Sequence, residues 1–398
     1  MNYSENIKVM ILASYYCAEH VARIKPYHRM NKAASRWNTT LFNELRKLPV
    51  EMHIVQFYPV LKMQIIKEGN VTYYYIPRVP KIDGFTSIIK KWRVKRLARK
   101  IRPDIIHGIG SEHGHAWPAI HKDKPSVITI HGYLKNINRL AGHKSLLKRL
   151  FLEREESKAL LEATTIIAIN GYMKDVFIKE GVLEKNIRIA HNPLDPLYLT
   201  RCTNIERDID ILMVGTLHPL KNIHVALEIF AQIKNEHGIT PSVIIAGAPT
   251  VVSQSYYNKL LEFKRRHNLD NVRFEGSVDQ ASLKNLYCRS KILLHISEFE
   301  TDSMVVSEAF ACGVLPVVNP VAALAFRVNN GENGYYADIR HPEQVVIMLV
   351  DILEHYDKAK ILIDNGRHKT IQERNPENVA NVTLNAYHST LAQGVDRW

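Results

Sequence analysis

Short, unbroken runs of Val, Ile and Leu recur along this chain, and each is followed by a stretch with helical spacing. In the first half they are Ile7–Leu12, Met52–Phe57, Asp104–Ile109, Ser126–Ile130 and Thr165–Ile169. In the second half they are Ile209–Val214, Ser242–Ala246, Val272–Phe274, Ile292–Ile296 and Leu315–Val318. A strand with one wet face alternates apolar and polar residues, whereas a strand buried on both faces reads as a continuous apolar run. Strand and helix alternating over the whole length therefore predict parallel sheets joined by right-handed crossovers. The chain, at 398 residues, is long enough for two such domains. A break falls at Asn192-Pro193-Leu194-Asp195-Pro196, and a new strand begins at Ile209. The expected fold class is α/β, with two doubly wound, Rossmann-like parallel-sheet domains over residues 1–200 and 201–376. A last helix, within 377–398, is expected to return toward the first domain.

Composition narrows the function. No run approaches the roughly 18–20 apolar residues of a membrane-spanning helix. The N-terminal Met1-Asn2-Tyr3-Ser4-Glu5-Asn6 has no charged leader or cleavage site, so no secretory signal is read there. The four cysteines, Cys17, Cys202, Cys288 and Cys312, form no C-x-x-C pair. That spacing argues against a disulfide framework and a zinc site, and a cytoplasmic location is expected. Charge is uneven: residues 1–200 carry 33 Lys and Arg against 17 Asp and Glu, while the rest carry 20 against 23. A half-chain this basic points to a polyanionic partner or to a solvated basic surface.

In doubly wound sheets ligands sit beyond the carboxyl ends of the strands, so the residues following each strand matter most. After Ile292–Ile296 comes Ser297-Glu298-Phe299-Glu300-Thr301-Asp302-Ser303-Met304-Val305-Val306-Ser307-Glu308, with Gly313 where a helix would stop. Asp302 or Ser303 is the expected N-cap, which places the backbone N–H groups of Ser303, Met304 and Val305 at a helix N-terminus able to bind an anion. Glu300 lies in the loop and Glu308 about one turn inside the helix. Two carboxylates beside an anion site suit a ligand carrying phosphate flanked by hydroxyls; alternatively they only favour the helix N-terminus. A second strand end, Met213-Val214-Gly215-Thr216-Leu217-His218-Pro219-Leu220-Lys221-Asn222, places Lys221 to meet a diphosphate.

Together these segments resemble the retaining glycosyltransferases of family 4, whose GT-B fold sets two Rossmann-like domains facing a cleft. The family's pair of glutamates seven residues apart matches Glu300 and Glu308, and Val214, Gly215, Leu217 and Lys221 match its phosphate segment. The resemblance implies that Glu308 binds the donor ribose, Glu300 the donor sugar, and Lys221 the leaving diphosphate. It implies that Gly215, Thr216, Ser303, Met304 and Val305 contribute to the donor site, and that Val272–Val278, with Gly276 and Val278, lies at the donor base. His131, after the strand Ser126–Ile130, stands where the family places a histidine near the reacting carbon. Two departures are visible: Thr216 replaces the family's arginine, and Lys32-Ala33-Ala34-Ser35-Arg36 stands in place of its Gly-Gly loop. The residues Tyr15 to Asn31 are expected to reshape the acceptor side.

The implied function is transfer of a sugar, with retention, from a nucleotide-diphosphate sugar to a glycan or lipid-linked acceptor in cell-surface polysaccharide assembly. No Asp-x-Asp motif stands at a strand end, so no cofactor and no essential metal are expected. The segment Lys90–Arg102 holds eight basic residues and no acidic one, with Val94, Leu97, Ala98 and Ile101 on one helical face. That face is expected to pack on the first sheet. The opposite basic face suits docking on an anionic membrane, making the chain peripheral on the inner face of the cell membrane. The competing enzyme readings are a GT-B sugar phosphorylase and a sugar-nucleotide epimerase. A nucleic-acid-binding module is a third reading, but no zinc, RNA-binding aromatic or Arg-Gly motif supports it and no nucleic-acid partner is expected.

Overall fold

A computed structural model describes residues 6–25, 36–79, 86–111, 114–136 and 146–395. The chain divides into two compact units, residues 1–193 with 376–398, and residues 194–375. Both breaks fall beside proline, at Pro193 and Pro376, rather than at residue 200.

The first unit is an eight-stranded sheet in the order β3-β4-β2-β1-β5-β6-β7-β8. The strands are β1 (Ile7–Leu12), β2 (Val50–Tyr58), β3 (Gln64–Glu68), β4 (Val71–Pro77), β5 (Ile105–Ile109), β6 (Ser126–Ile130), β7 (Thr165–Ala168) and β8 (Ile187–Ile189). All neighbours are parallel except β3 and β4, an antiparallel hairpin closed by Gly69 and Asn70. The parallel sheet expected from the sequence thus carries one antiparallel hairpin at its edge. A two-residue Gly-Asn turn with Gly69 at φ 59° supports a hairpin, a local signal that overrides the crossover pattern.

Helices cover both faces, as the continuous apolar strands require. They are α1 (Ala18–Ile24), α2 (Arg36–Leu45), α3 (Thr86–Ile101), α4 (Ala116–Ala119), α5 (Leu146–Glu162) and α6 (Gly171–Lys179). Alternate residues of β1 serve opposite layers: Val9 and Ile11 pack with Phe42 and Leu45 of α2, while Met10 and Leu12 pack with Val94, Leu97 and Ile101 of α3. Each fully buried aliphatic side chain contributes about 1.5–3 kcal/mol relative to exposure. The apolar stripe read in Lys90–Arg102 thus lies on the sheet. Tyr15, the first residue of the segment Tyr15 to Asn31, is buried and stacks on Tyr73 with centroids 5.0 Å apart. His20 is buried with it, between Tyr75 Oη at 2.6 Å and Glu68 Oε1 at 2.7 Å. Residues 26–35, including most of the segment in place of the Gly-Gly loop, lie outside the described residues.

The second unit is a six-stranded, all-parallel sheet in the order β11-β10-β9-β12-β13-β14. Its strands are β9 (Ile209–Val214), β10 (Val243–Ala246), β11 (Val272–Gly276), β12 (Ser290–His295), β13 (Leu315–Val318) and β14 (Tyr335–Tyr336). Its helices are α7 (Ile223–His237), α8 (Gln254–Arg266), α9 (Gln280–Arg289), α10 (Met304–Ala311), α11 (Ala323–Arg327), α12 (Pro342–Glu354) and α13 (Lys360–Arg374). Counted from β9 the strand order is 3-2-1-4-5-6, which reverses direction between β9 and β12. A final helix, α14 (Pro376–Val395), belongs to the first unit. There Tyr387 is fully buried, with its hydroxyl 2.9 Å from His107 Nδ1.

The reading of the cysteines is corrected. Cys202 and Cys288, 86 residues apart in sequence, form a disulfide with Cα atoms 5.4 Å apart. Cys312 lies in the same cluster, the three sulfurs all within 4.8 Å of one another. Sequence spacing could not show this, because the cysteines meet only when α9 and α10 pack against the segment leading into β9.

Candidate active site

The reversal of strand order leaves the carboxyl ends of β9 and β12 as neighbours with their crossovers diverging to opposite faces. That geometry opens a crevice at one edge, the usual ligand position in such sheets. Beyond β9, Gly215 leads through Thr216, exposed, and Leu217, buried, to a single 3₁₀ turn, Pro219–Lys221. His218 Nδ1 accepts the Leu220 N–H at 3.3 Å. Asn222 closes the turn in the left-handed region at φ 51°, a conformation asparagine tolerates. Its amide donates to Ile296 O at 3.0 Å, and the Glu298 N–H donates to Leu220 O at 2.9 Å. The two strand-end loops are thereby stitched together.

Two glycines shape the floor. Gly247, after β10, has φ +152°, and a Cβ there would stand 1.8 Å from the Gly215 carbonyl oxygen. Gly247 in turn donates its N–H to Gly276 O, 2.8 Å away at the end of β11. Only glycine permits the three strand-end backbones to approach this closely. Gly215 has φ +150°, a backbone conformation that favours glycine, and the Lys221 side chain packs over it.

The loop after β12 is held from below. Asn319 donates to Ser297 O at 3.1 Å, and the Ala323 N–H donates to Glu300 O at 3.1 Å. Asp302 turns inward to a bidentate pair with Arg374, whose side chain is fully buried; the Nη1–Oδ2 contact is 3.0 Å. Beside it Arg327 donates to Ser307 Oγ and Glu373 Oε2, each at 3.0 Å. Burial, and next the neighbouring Arg374, hold the Arg327 guanidinium down at about 9. Ser303, one of the two expected residues, occupies the N-cap position at φ 59°, but its side chain makes no cap bond. Its Oγ lies instead 3.2 Å from His295 Nε2, and Asp302 is spent on Arg374. The Ser303 side chain therefore does not compete for the leading N–H groups of α10, which include Met304 and Val305.

The charged centre follows from these positions. Lys221 Nζ donates to Glu300 Oε1, and His295 Nε2 donates to the same oxygen at 3.0 Å. Burial is the largest influence on Glu300 and opposes its ionisation. The His295 hydrogen bond and charge, together with Lys221, outweigh it and hold the carboxyl at about 2. Glu308, buried on α10, accepts the Tyr287 hydroxyl at 3.2 Å on Oε2, and the same hydroxyl reaches Val305 O at 3.2 Å. Burial, then the Glu308 charge, push the Tyr287 phenol well above its ordinary value, so it stays a neutral donor.

Among the residues named from sequence, Gly215, Thr216, Lys221, Glu300, Ser303, Met304, Val305 and Glu308 all lie around the ends of β9 and β12. Gly276 ends β11, and the half-buried Val278 packs on the core under α9 and α10. His131 lies in the first unit, just past β6, with its ring 5.4 Å from that of Trp37. Sequence reasoning missed His295, Gly247, Asn222, Tyr287 and Arg374. The strand-end placement of His295 and Gly247 was available as a signal, while Tyr287 and Arg374 had none. Among the described residues, the three cysteines are the one group of three or more His, Cys, Asp or Glu with ligand atoms close enough to share a metal.

Comparison with known proteins agrees with this geometry. Residues 34–196 match a domain model described as Glycosyltransferase Family 4, and residues 202–369 one described as Glycosyl transferases group 1. An uncharacterized glycosyltransferase of Methanocaldococcus jannaschii is 21% identical over 308 residues, 75% of this chain and 79% of that protein. The O-antigen chain mannosyltransferase B of Escherichia coli is 25% identical over 222 residues, 56% of this chain and 57% of that protein. The crystal structure of Anabaena HepE, solved with UDP and glucose, superposes with a TM-score of 0.70 at 15% identity, covering 96% of this chain and 100% of HepE. With a glycosyltransferase domain matched on each unit and two parallel-sheet units of this topology, the chain belongs to the glycosyltransferases of GT-B type.

Proposed function

We propose that this chain is a retaining glycosyltransferase of family 4 that moves a sugar from a nucleotide-diphosphate sugar to a glycan or lipid-linked acceptor in cell-surface polysaccharide assembly. The observation that carries this reading is the convergence of Lys221, Glu300 and Glu308 at the reversal point of the second sheet. A departing diphosphate develops negative charge, and preorganised positive potential is the strongest lever on such a step. Lys221 and the N-terminus of α10 supply it. Glu300, kept ionised, is an acceptor for sugar hydroxyls, and Glu308 is an acceptor for ribose hydroxyls. His131 is the residue of the first unit assigned to catalysis. Gly276 and Val278 stand on the side of the base.

The HepE structures hold UDP, UDP with glucose, or UDP-glucose, and this supports a nucleotide sugar as donor here. The relative named as an O-antigen mannosyltransferase supports the polysaccharide reading. No cofactor and no essential metal are assigned to the reaction. Among the described residues no helix is long and apolar enough to cross a membrane. The basic first half is assigned to an anionic membrane surface, and the chain to the cytoplasmic side.

The test is transfer from a panel of nucleotide sugars by the full chain and by Glu308→Gln and Lys221→Ala. With donor below saturation, Lys221→Ala should lower turnover by about 10²–10³, the size seen when a preorganised charge-stabilising group is removed, and Glu308→Gln should lower it through weaker ribose binding. Near wild-type turnover in both would sink the site assignment. Anomeric analysis of the product by NMR decides retention.

A further inference from the structure

The first unit carries a groove that the donor site does not use. Its volume is about 780 Å³, and it opens between α3, α4 and the end of α5. Ser126, the first residue of β6, and Thr164, just before β7, form its floor, so it lies at the amino ends of the strands. The five residues of β6, roughly 17 Å of strand, separate it from the carboxyl end where His131 stands.

Its chemistry is two-sided. Lys91, Lys95, Lys122 and Lys124 line it against the acidic Asp123 and Glu162. Lys91 Nζ sits 4.3 Å from the centre of the Trp117 ring, which holds that charge at the groove wall. His121 Nε2 is buried there with no hydrogen-bond partner among the described residues. At the rim, Trp92 is 59% exposed and Leu161 60%, with Ile88 beside them. Large apolar side chains left in water beside a cluster of lysines are unusual for a purely solvated surface.

We propose that this groove anchors the chain on an anionic phospholipid surface, with the lysines around phosphate head groups and Trp92, Leu161 and Ile88 at the acyl boundary. A soluble phosphate would engage the lysines but leave the apolar rim in water. Indole rings settle at the head-group level of a bilayer, and each lysine near an anionic surface adds roughly 1 kcal/mol. The proposal rests on the membrane reading of the basic half and narrows it to one face. That face is the amino end of the sheet, so the anchor is distinct from the strand ends that take ligands.

The experiment is co-sedimentation of the full chain with vesicles of phosphatidylglycerol and phosphatidylcholine, with phosphatidylcholine vesicles alone as reference. The variants are Lys95→Glu/Lys124→Glu in the groove, Trp92→Ala at the rim, and Lys62→Glu/Lys67→Glu, an equal charge change at exposed positions around β3. The wild type should bind only the anionic vesicles. The groove pair should weaken binding by about tenfold or more, Trp92→Ala should weaken it and reduce the blue shift of tryptophan emission, and the β3 pair should behave as wild type. All variants should keep the wild-type melting temperature. Equal losses from both lysine pairs would overturn the groove while leaving a diffuse membrane attraction. Absence of wild-type binding to anionic vesicles would overturn both. Release of the chain from vesicles by inorganic phosphate, under conditions where chloride at equal ionic strength does not release it, would make the groove a soluble-anion site and overturn the lipid assignment.

Discussion

Lys221 and Glu300 are 79 residues apart in the chain and form an ion pair across the ends of β9 and β12, with His295 donating to the same carboxylate oxygen at 3.0 Å. Backbone bonds from Glu298 to Leu220 and from Asn222 to Ile296 brace both sides of the pair. The pair fixes one positive and one negative charge at the carboxyl ends of neighbouring strands. Its pH behaviour follows from the depressed carboxyl.

Glu300 is held at about 2, below its ordinary 4.5, so the folded state binds the proton less readily than the unfolded chain. The stabilisation is fully present above about pH 4.5 and is lost as pH falls toward 2; it is on the order of 3 kcal/mol. Glu300→Gln should therefore lower the melting temperature at pH 7. The difference from wild type should shrink below pH 4. A constant difference from pH 7 to pH 3 would refute this account.

Tyr287→Phe removes the buried hydroxyl that donates to Glu308. One lost hydrogen bond to a charged acceptor costs about 1.5–3 kcal/mol, part of it expressed in binding. Nucleotide diphosphate affinity, measured by titration calorimetry, should fall about tenfold, while turnover at saturating donor changes little. A turnover loss with unchanged affinity would place Glu308 elsewhere in the reaction.

The Asp302–Arg374 pair lies beneath the glutamate loop, with Arg374 fully buried. Breaking a buried pair by removing one partner costs about 3–5 kcal/mol, because the other charge stays behind unpaired. Asp302→Ala should lower the denaturation midpoint strongly. Asp302→Leu/Arg374→Met, which removes both charges, should recover much of the loss. A double variant as unstable as the single would show that packing rather than charge sets the cost.

Gly247→Ala has no room for its methyl group, 1.8 Å from the Gly215 carbonyl oxygen. The Gly215 turn must move, and Lys221 moves with it. Donor binding should be lost in a chain that still melts cooperatively. Gly238→Ala is the control: its φ is +69° with nothing within 4 Å, so it should cost about 1 kcal/mol of backbone strain and leave binding intact. Equal effects at the two positions would contradict the close-approach argument.

Much of this was legible without coordinates. Ile7–Leu12 and Ile209–Val214 read as doubly buried strands because sequential apolar residues can only alternate between two covered faces. Lys221, Glu300 and Glu308 could be placed because strand, turn and helix start are local features, and reversal points of parallel sheets lie at strand ends. The Gly69-Asn70 hairpin was also written locally, but a pattern of crossovers obscured it.

Tertiary structure alone decided the partners. Tyr15 joins the core because Tyr73 and His20 arrive beside it from other elements. Ser303 gives up capping because His295 stands within reach, and Asp302 turns inward because α13 brings Arg374 beneath it. The Cys202–Cys288 disulfide spans 86 residues that carry no spacing signal. Periodicity fixes what each segment becomes, since that depends on neighbours three or four residues away. Which side chain meets which across 70–90 residues depends on how sheets and helices pack, and no local pattern encodes it. The sequence therefore determined where the charged residues stand along the strands, and the packed fold decided that Lys221 and Glu300 face each other.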